Sequence, residues 1–157
     1  EHSTDLAVIY GDMPRLVRTV PSGLQALVRA AVQNLNVQDD QARQFIIKFG
    51  LAPDRLEGQV LRAIDGVLDN FATELTKSIK FFQTRYPSIS VSGILLSGFG
   101  AAIPMMDNYI TNKTGVPATT ADPWQHVSLG QADQQKLAPI ASEFATVVGL
   151  AQRRNGS

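Results

Sequence analysis

The chain has 157 residues, 44% of them apolar, with 14 basic and 14 acidic side chains. That is one domain, or one lobe of a larger protein, and its balanced charge offers no field for nucleic acid or an anionic membrane. The absence of cysteine excludes disulfides and thiolate metal ligands and fits a reducing compartment. His2 and His126 stand far apart without ligand spacing, and no apolar run approaches the roughly 20 residues that span a bilayer.

The chain lacks an initiator methionine, and Glu1-His2-Ser3-Thr4-Asp5 reads like the middle of a loop, so a fragment is expected. Residues 5–10 carry Val8 and Ile9 and read as a strand. Gly11-Asp12-Met13-Pro14 is a turn, and residues 15–20 alternate as the returning strand of a hairpin. Ser22 suits an N-cap. Leu24, Leu27, Val28, Ala31, Val32 and Leu35 then recur every three or four residues, as on one face of a helix. Asp39 and Asp40 suit the first turn of a second helix, where carboxylates meet the positive end of the macrodipole, and Gly50 stops it. From about residue 54 to 86 an apolar stripe from Leu56 through Ile64, Phe71 and Ile79 to Phe82 predicts one long helix, with Gly58 and Gly66 as weak points and Pro87 as its end.

A βαβ unit follows. Its strand is expected over 89–96, its helix over 103–114 with Pro104 at the first position, and its second strand over 116–119. Between the first strand and the helix lies a small-residue turn, Ser97-Gly98-Phe99-Gly100-Ala101. Such a turn brings bare backbone N–H groups to a helix N-terminus, a place where many α/β proteins hold ligands. It can equally be a tight connection that needs small residues. Asp122-Pro123-Trp124 is a turn, with Trp124 either packed on the last helix or serving as a contact anchor. The last helix is expected over 133–152, with Leu137, Ile140, Ala141, Phe144, Val147, Val148 and Ala151 on its buried side. Arg153 and Arg154 are a solvated terminal pair.

Asp65, Asp69 and Glu74 are spread around the long helix and read as a solvated face rather than a metal site. No Ser-His-Asp triad or paired-carboxylate arrangement is visible, so no catalytic residue is assigned. No metal ligand is assigned either.

Four segments carry a resemblance to a known family. They are Ser3-Thr4-Asp5-Leu6-Ala7-Val8-Ile9, Arg15-Leu16-Val17-Arg18-Thr19-Val20-Pro21-Ser22-Gly23, Phe81-Phe82-Gln83-Thr84-Arg85-Tyr86, and Leu95-Leu96-Ser97-Gly98-Phe99-Gly100-Ala101 with Asp122-Pro123-Trp124 beyond it. In this order the chain resembles the second lobe of the type IV pilus assembly protein PilM family, actin-like ATPases related to the cell-division protein FtsA. The resemblance implies an α/β lobe of actin-like, ribonuclease H-like fold with a mixed sheet. Its sheet subdomain would be 1–38 and 87–157, and an inserted helical subdomain would be 39–86. It implies a central first strand upstream of Glu1. That strand would pair with residues 5–10 on one side and 89–96 on the other, so its absence leaves a gap to be filled by another chain segment, a shifted pairing, or strand exchange between two copies.

By the same resemblance Ser3 and Thr4 end the second phosphate loop, and Ser97, Gly98, Phe99, Gly100 and Ala101 form the adenosine-contacting turn. ATP with Mg would bind between lobes of the full protein, and none is expected on the fragment alone. The sequence departs from the family in two places. Phe99 stands where the family turn has its middle glycine, and Ala42-Arg43-Gln44-Phe45-Ile46 replaces the family's Ala-Glu-x-x-Lys near the ribose. The implied role is a cytoplasmic scaffold at the inner-membrane face of a type IV pilus machine. It would be reached through a PilN-like cytoplasmic tail that docks mainly on the first lobe. The alternatives are a lobe of an actin-fold enzyme such as a sugar kinase, or an FtsA-like filament protein.

Overall fold

The computed structural model describes residues 2–11, 13–125, 127, 128, 130, 133, 136, 137 and 141–152. In chain order these form β1 (Thr4–Tyr10), β2 (Met13–Val20), α1 (Leu24–Leu35), α2 (Asp39–Phe49), α3 (Gln59–Arg85), β3 (Ile94–Leu96), α4 (Met106–Thr114), β4 (Ala118–Thr120) and α5 (Ala141–Gln152). Short 3-10 turns over Arg55–Gly58 and Gly98–Ala102 precede α3 and α4.

β1 and β2 pair antiparallel from Thr4↔Val20 to Tyr10↔Met13, with an irregularity between Val8 and Ile9. Ile9 faces Pro14 where Val8 faced Leu16, so Arg15 is the extra residue of a bulge. The expected turn thus gives up Met13 and Pro14 to β2. A proline is tolerated in a ladder at such a bulge because no N–H is required of it; Asp12 lies outside the described residues. β3 and β4 pair parallel, Ile94↔Ala118 to Leu96↔Thr120. Both pairing senses of a mixed sheet are present, but among the described residues the two pairs form separate sheets. β3 is three residues long rather than the eight expected, because β4, its one partner among the described residues, offers three positions.

One apolar cluster joins these pieces. Leu24, Leu27, Val28 and Ala31 of α1 pack on Val60, Ile64 and Leu68 of α3, with Ala42 and Ile46 of α2 and Met106 and Ile110 of α4. Leu6 on β1 and Ile94 and Leu96 on β3 lie against the same cluster. The most enclosed side chains are Ile46, Ile64, Leu68, Ile110, Val28 and Val60. Each such side chain contributes about 1.5–3 kcal/mol relative to an exposed one. Ser78 is the single buried polar side chain among the described residues. Its hydroxyl donates to the Glu74 carbonyl at 2.8 Å and accepts from the Arg18 guanidinium at 3.2 Å, which ties β2 to α3.

Several boundaries differ from expectation for local reasons. The N-cap of α1 is Gly23, in extended conformation, and not Ser22. Ser22 instead uses its carbonyl to accept the Thr4 hydroxyl at 2.7 Å. The long helix does not run unbroken from residue 54. Leu56, Glu57 and Gly58 all have positive φ (44°, 52° and 69°), so the chain turns with left-handed backbone before α3 begins. Gly66 lies inside α3 without interrupting it. α5 is described from Ala141; the part of the expected helix at 134, 135 and 138–140, Ile140 included, lies outside the described residues, as do Arg153, Arg154 and His126. Val147 is 61% exposed and Ala151 is exposed too, so the apolar side assigned to this helix is not buried as a whole.

Candidate functional site

The turn after β3 is built from uncharged residues alone. Ser97 continues the extended backbone of β3, and the 3-10 turn Gly98–Ala102 follows. Gly98 has φ +70°, a conformation that favours glycine. Gly100 has no such constraint, and nothing stands within 4 Å of where a Cβ would be at either glycine. The Phe99 side chain is 42% exposed. The turn can therefore offer backbone N–H groups, the Ser97 hydroxyl and an aromatic face, and it holds no group for acid–base or nucleophilic chemistry.

The end of the turn is fixed from outside. Ile103 is buried, and its N–H reaches the Gly100 carbonyl at 3.4 Å. The Pro104 carbonyl accepts the Leu51 N–H at 3.0 Å. A Cβ on Gly50 would sit 2.5 Å from the Pro104 oxygen and 2.6 Å from its ring Cδ. The loop after α2 is thus packed directly onto Pro104. Met105 then takes a left-handed conformation (φ 66°), so α4 starts at Met106 and Pro104 is not its first residue. This displaces the expected start of the helix by three residues.

The remaining candidates are placed elsewhere. Ser3 is exposed ahead of β1, and Thr4 opens β1 with its hydroxyl donated to Ser22. Among the described residues no hydrogen bond joins Ser3 or Thr4 to residues 97–101. Lys48 sits at the end of α2 with its ammonium 5.5 Å from the Phe49 ring centroid. It lines a hollow of about 430 Å³ with Ala52, Asp54, Arg55, Pro104 and Met105, and no residue from 97 to 101 takes part in it. Trp124 packs against α5, its ring centroid 5.7 Å from that of Phe144, and Asp122 accepts the Trp124 N–H at 3.0 Å. Of the two readings of Trp124, helix packing is the one seen. α5 also packs on the 3-10 turn itself.

Asp69 is exposed, as expected, and Glu74 is half-buried; each is engaged. Asp69 pairs with Lys113 and accepts the Tyr109 hydroxyl at 2.9 Å. Glu74 pairs with Arg18 at 2.7 Å and Lys77 at 2.8 Å. Hydrogen bonding from Lys113 and Tyr109 holds the Asp69 carboxyl below its ordinary range, and Lys77 does the same for Glu74. Asp69 raises the Lys113 ammonium, and burial with the Asp69 charge raises the Tyr109 hydroxyl. Reading one helix at a time missed these contacts, because the partners of Asp69 lie 40 and 44 positions on, in α4. The visible signal was a carboxylate in one helix and a lysine in the last turn of another.

Comparison with known proteins decides the family. Residues 2–155 match the family described as type IV pilus assembly protein PilM. This chain belongs to that family. The PilM-family chain is similar in structure to a chain in a PilM-PilN type IV pilus biogenesis complex, with 26% identity and a TM-score of 0.78, over 96% of this chain and 42% of that one. It also shares its fold with the ethanolamine utilization protein EutJ from Carboxydothermus hydrogenoformans, at 16% identity and a TM-score of 0.64, over 96% of this chain and 44% of that one. The chain thus spans less than half the length of either structural relative. The fold is that of the actin-like proteins, an α/β architecture with small sheets and packed helices.

Proposed function

We propose that this chain is the second lobe of a PilM-family scaffold of type IV pilus assembly, acting in the cytoplasm at the inner-membrane face. The observation that carries the reading is the match to the PilM-PilN complex across 96% of the chain. In the longer protein a PilN-like cytoplasmic tail would be the partner and would dock mainly on the first lobe. No described helix is long and apolar enough to cross a membrane, which fits attachment through partners.

Within this reading, Ser97, Gly98, Phe99, Gly100 and Ala101 contact the adenosine of ATP bound with Mg between lobes, and Ser3 and Thr4 face its phosphates. Gly100 supports a ligand role for the turn: neither its backbone angle nor crowding demands glycine there, while close approach of a nucleotide would. Phe99 decides whether the nucleotide is accepted, because its ring either stacks on adenine or occupies adenine's space. The turn itself carries no charged side chain and so offers no catalytic group for hydrolysis.

Calorimetric titration of Mg-ATP into the full-length protein, beside Phe99→Gly, tests this. Micromolar binding by the wild type, weakened in Phe99→Gly, marks a nucleotide-gated scaffold with a stacking ring. Binding by the variant alone makes the protein a nucleotide-independent adaptor. ATP consumption that depends on an added substrate would overturn the scaffold reading in favour of an enzyme.

A further inference from the structure

One face of α3 and the end of α4 enclose an open groove of about 250 Å³. It is lined by Ala72, Thr73 and Thr76, by the three lysines Lys77, Lys80 and Lys113, and by Asp69. Residues 69, 73, 76, 77 and 80 recur at helical spacing, so the strip runs about 16 Å along α3 at 1.5 Å per residue. With Glu74, which pairs with Lys77 from beside the groove, the three lysines meet two carboxylates and keep an excess of one positive charge, on a chain whose formal net charge is zero.

The ion pairs at this groove can be exchanged at little cost. Asp69 holds both Lys113 and the Tyr109 hydroxyl, and Glu74 holds both Lys77 and Arg18. If Lys113 and Lys77 turn toward an incoming carboxylate, Asp69 keeps Tyr109 and Glu74 keeps Arg18. Lys80 makes no ion pair among the described residues. Phe81, four positions beyond Lys77, is 59% exposed beside the strip and adds an aromatic contact of the kind that anchors protein interfaces.

From this we propose that the Lys77–Lys80–Lys113 groove is a docking site for an acidic polypeptide segment of another protein. An elongated, open, cationic strip suits carboxylates spaced along a chain, whereas a small anion would need donors converging on one point. The site lies on α3 and α4, away from residues 97–101, and does not rest on the pilus reading.

The test is fluorescence anisotropy of the full chain with a labelled glutamate-rich peptide, at low and at physiological salt. Binding that weakens with salt is expected, since exposed charges are screened over about 8 Å at physiological ionic strength. Lys80→Glu with Lys113→Glu is expected to weaken it about tenfold, and Lys48→Glu, an equal change per site elsewhere, less than about twofold. Lys80→Glu alone keeps every observed ion pair and so serves as the variant whose folding is not at issue, with about a threefold loss expected. Equal losses for Lys48→Glu and Lys80→Glu, or no binding by the wild type, would overturn the site. Retention on phosphatidylglycerol vesicles through the same lysines, without competition from the peptide, would overturn it in favour of a membrane surface.

Discussion

At the scale of single residues, Gly50 is the most constrained position near the candidate turn. Its backbone angles, φ 54° and ψ −133°, are nearly exclusive to glycine, and the Pro104 carbonyl and ring lie where a Cβ would go. Gly50→Ala therefore combines backbone strain with a clash against backbone that cannot yield without moving Pro104. Its expected cost is about 2–3 kcal/mol, read as a lower urea midpoint at unchanged slope. Gly98→Ala serves as contrast, because a Cβ there meets open space and only the positive φ is penalised, at about 1–2 kcal/mol. The sequence marked Gly50 as a helix stop. It carried no sign that the same glycine touches Pro104, 54 positions away, since that contact exists only after α2 and α4 have packed.

At the scale of elements, helices were far more legible than strands. α1 and α2 repeat their apolar residues with the helical period, and the structure places both within a residue or two of expectation. α3 lost its first turn at the weak point marked by Gly58, while the positive φ of Leu56 and Glu57 before it leaves no compositional trace. β3 and β4 were overestimated because strand length depends on what lies alongside, and period-two patterning does not report a missing neighbour. Among the elements, α3 and α4 are linked by Lys113, Tyr109 and Asp69, and α3 and β2 by Arg18 and Glu74, so their association depends on pH. Asp69 and Glu74 titrate below their ordinary values of 3.8 and 4.5 in the folded chain. In acid the unfolded chain then binds more protons than the folded one, and stability falls as pH drops through this range. Above it the contribution is complete. Thermal melting between pH 7 and pH 3 is expected to show the loss setting in below about pH 4.5, and Asp69→Asn to flatten the slope. An unchanged slope in Asp69→Asn would mean that Lys113 and Tyr109 do not hold the carboxylate in solution.

At the scale of the whole molecule, the order of segments was more informative than any one of them. No motif in the chain is specific alone. The hairpin, the helical stretch and the βαβ unit in that sequence pointed to an actin-like lobe, four collinear local segments pointed to the PilM family, and the match over residues 2–155 bears the family out. The candidate site was legible as a turn but not as a surface. That Gly100 is unconstrained, that Phe99 is 42% exposed, and that α5 folds back onto the turn are facts of packing between distant segments. The last of these gives the protein a built-in optical gauge. Trp124 is the only indole in the chain, and its partner Phe144 belongs to the helix that lies on residues 98–102. Its emission therefore reports whether that helix is seated. Phe144→Ala is expected to shift the emission to longer wavelength as water reaches the ring, at little change in far-ultraviolet circular dichroism. In the wild type a nucleotide that unseated this helix from residues 98–102 would register in the same emission, without a label.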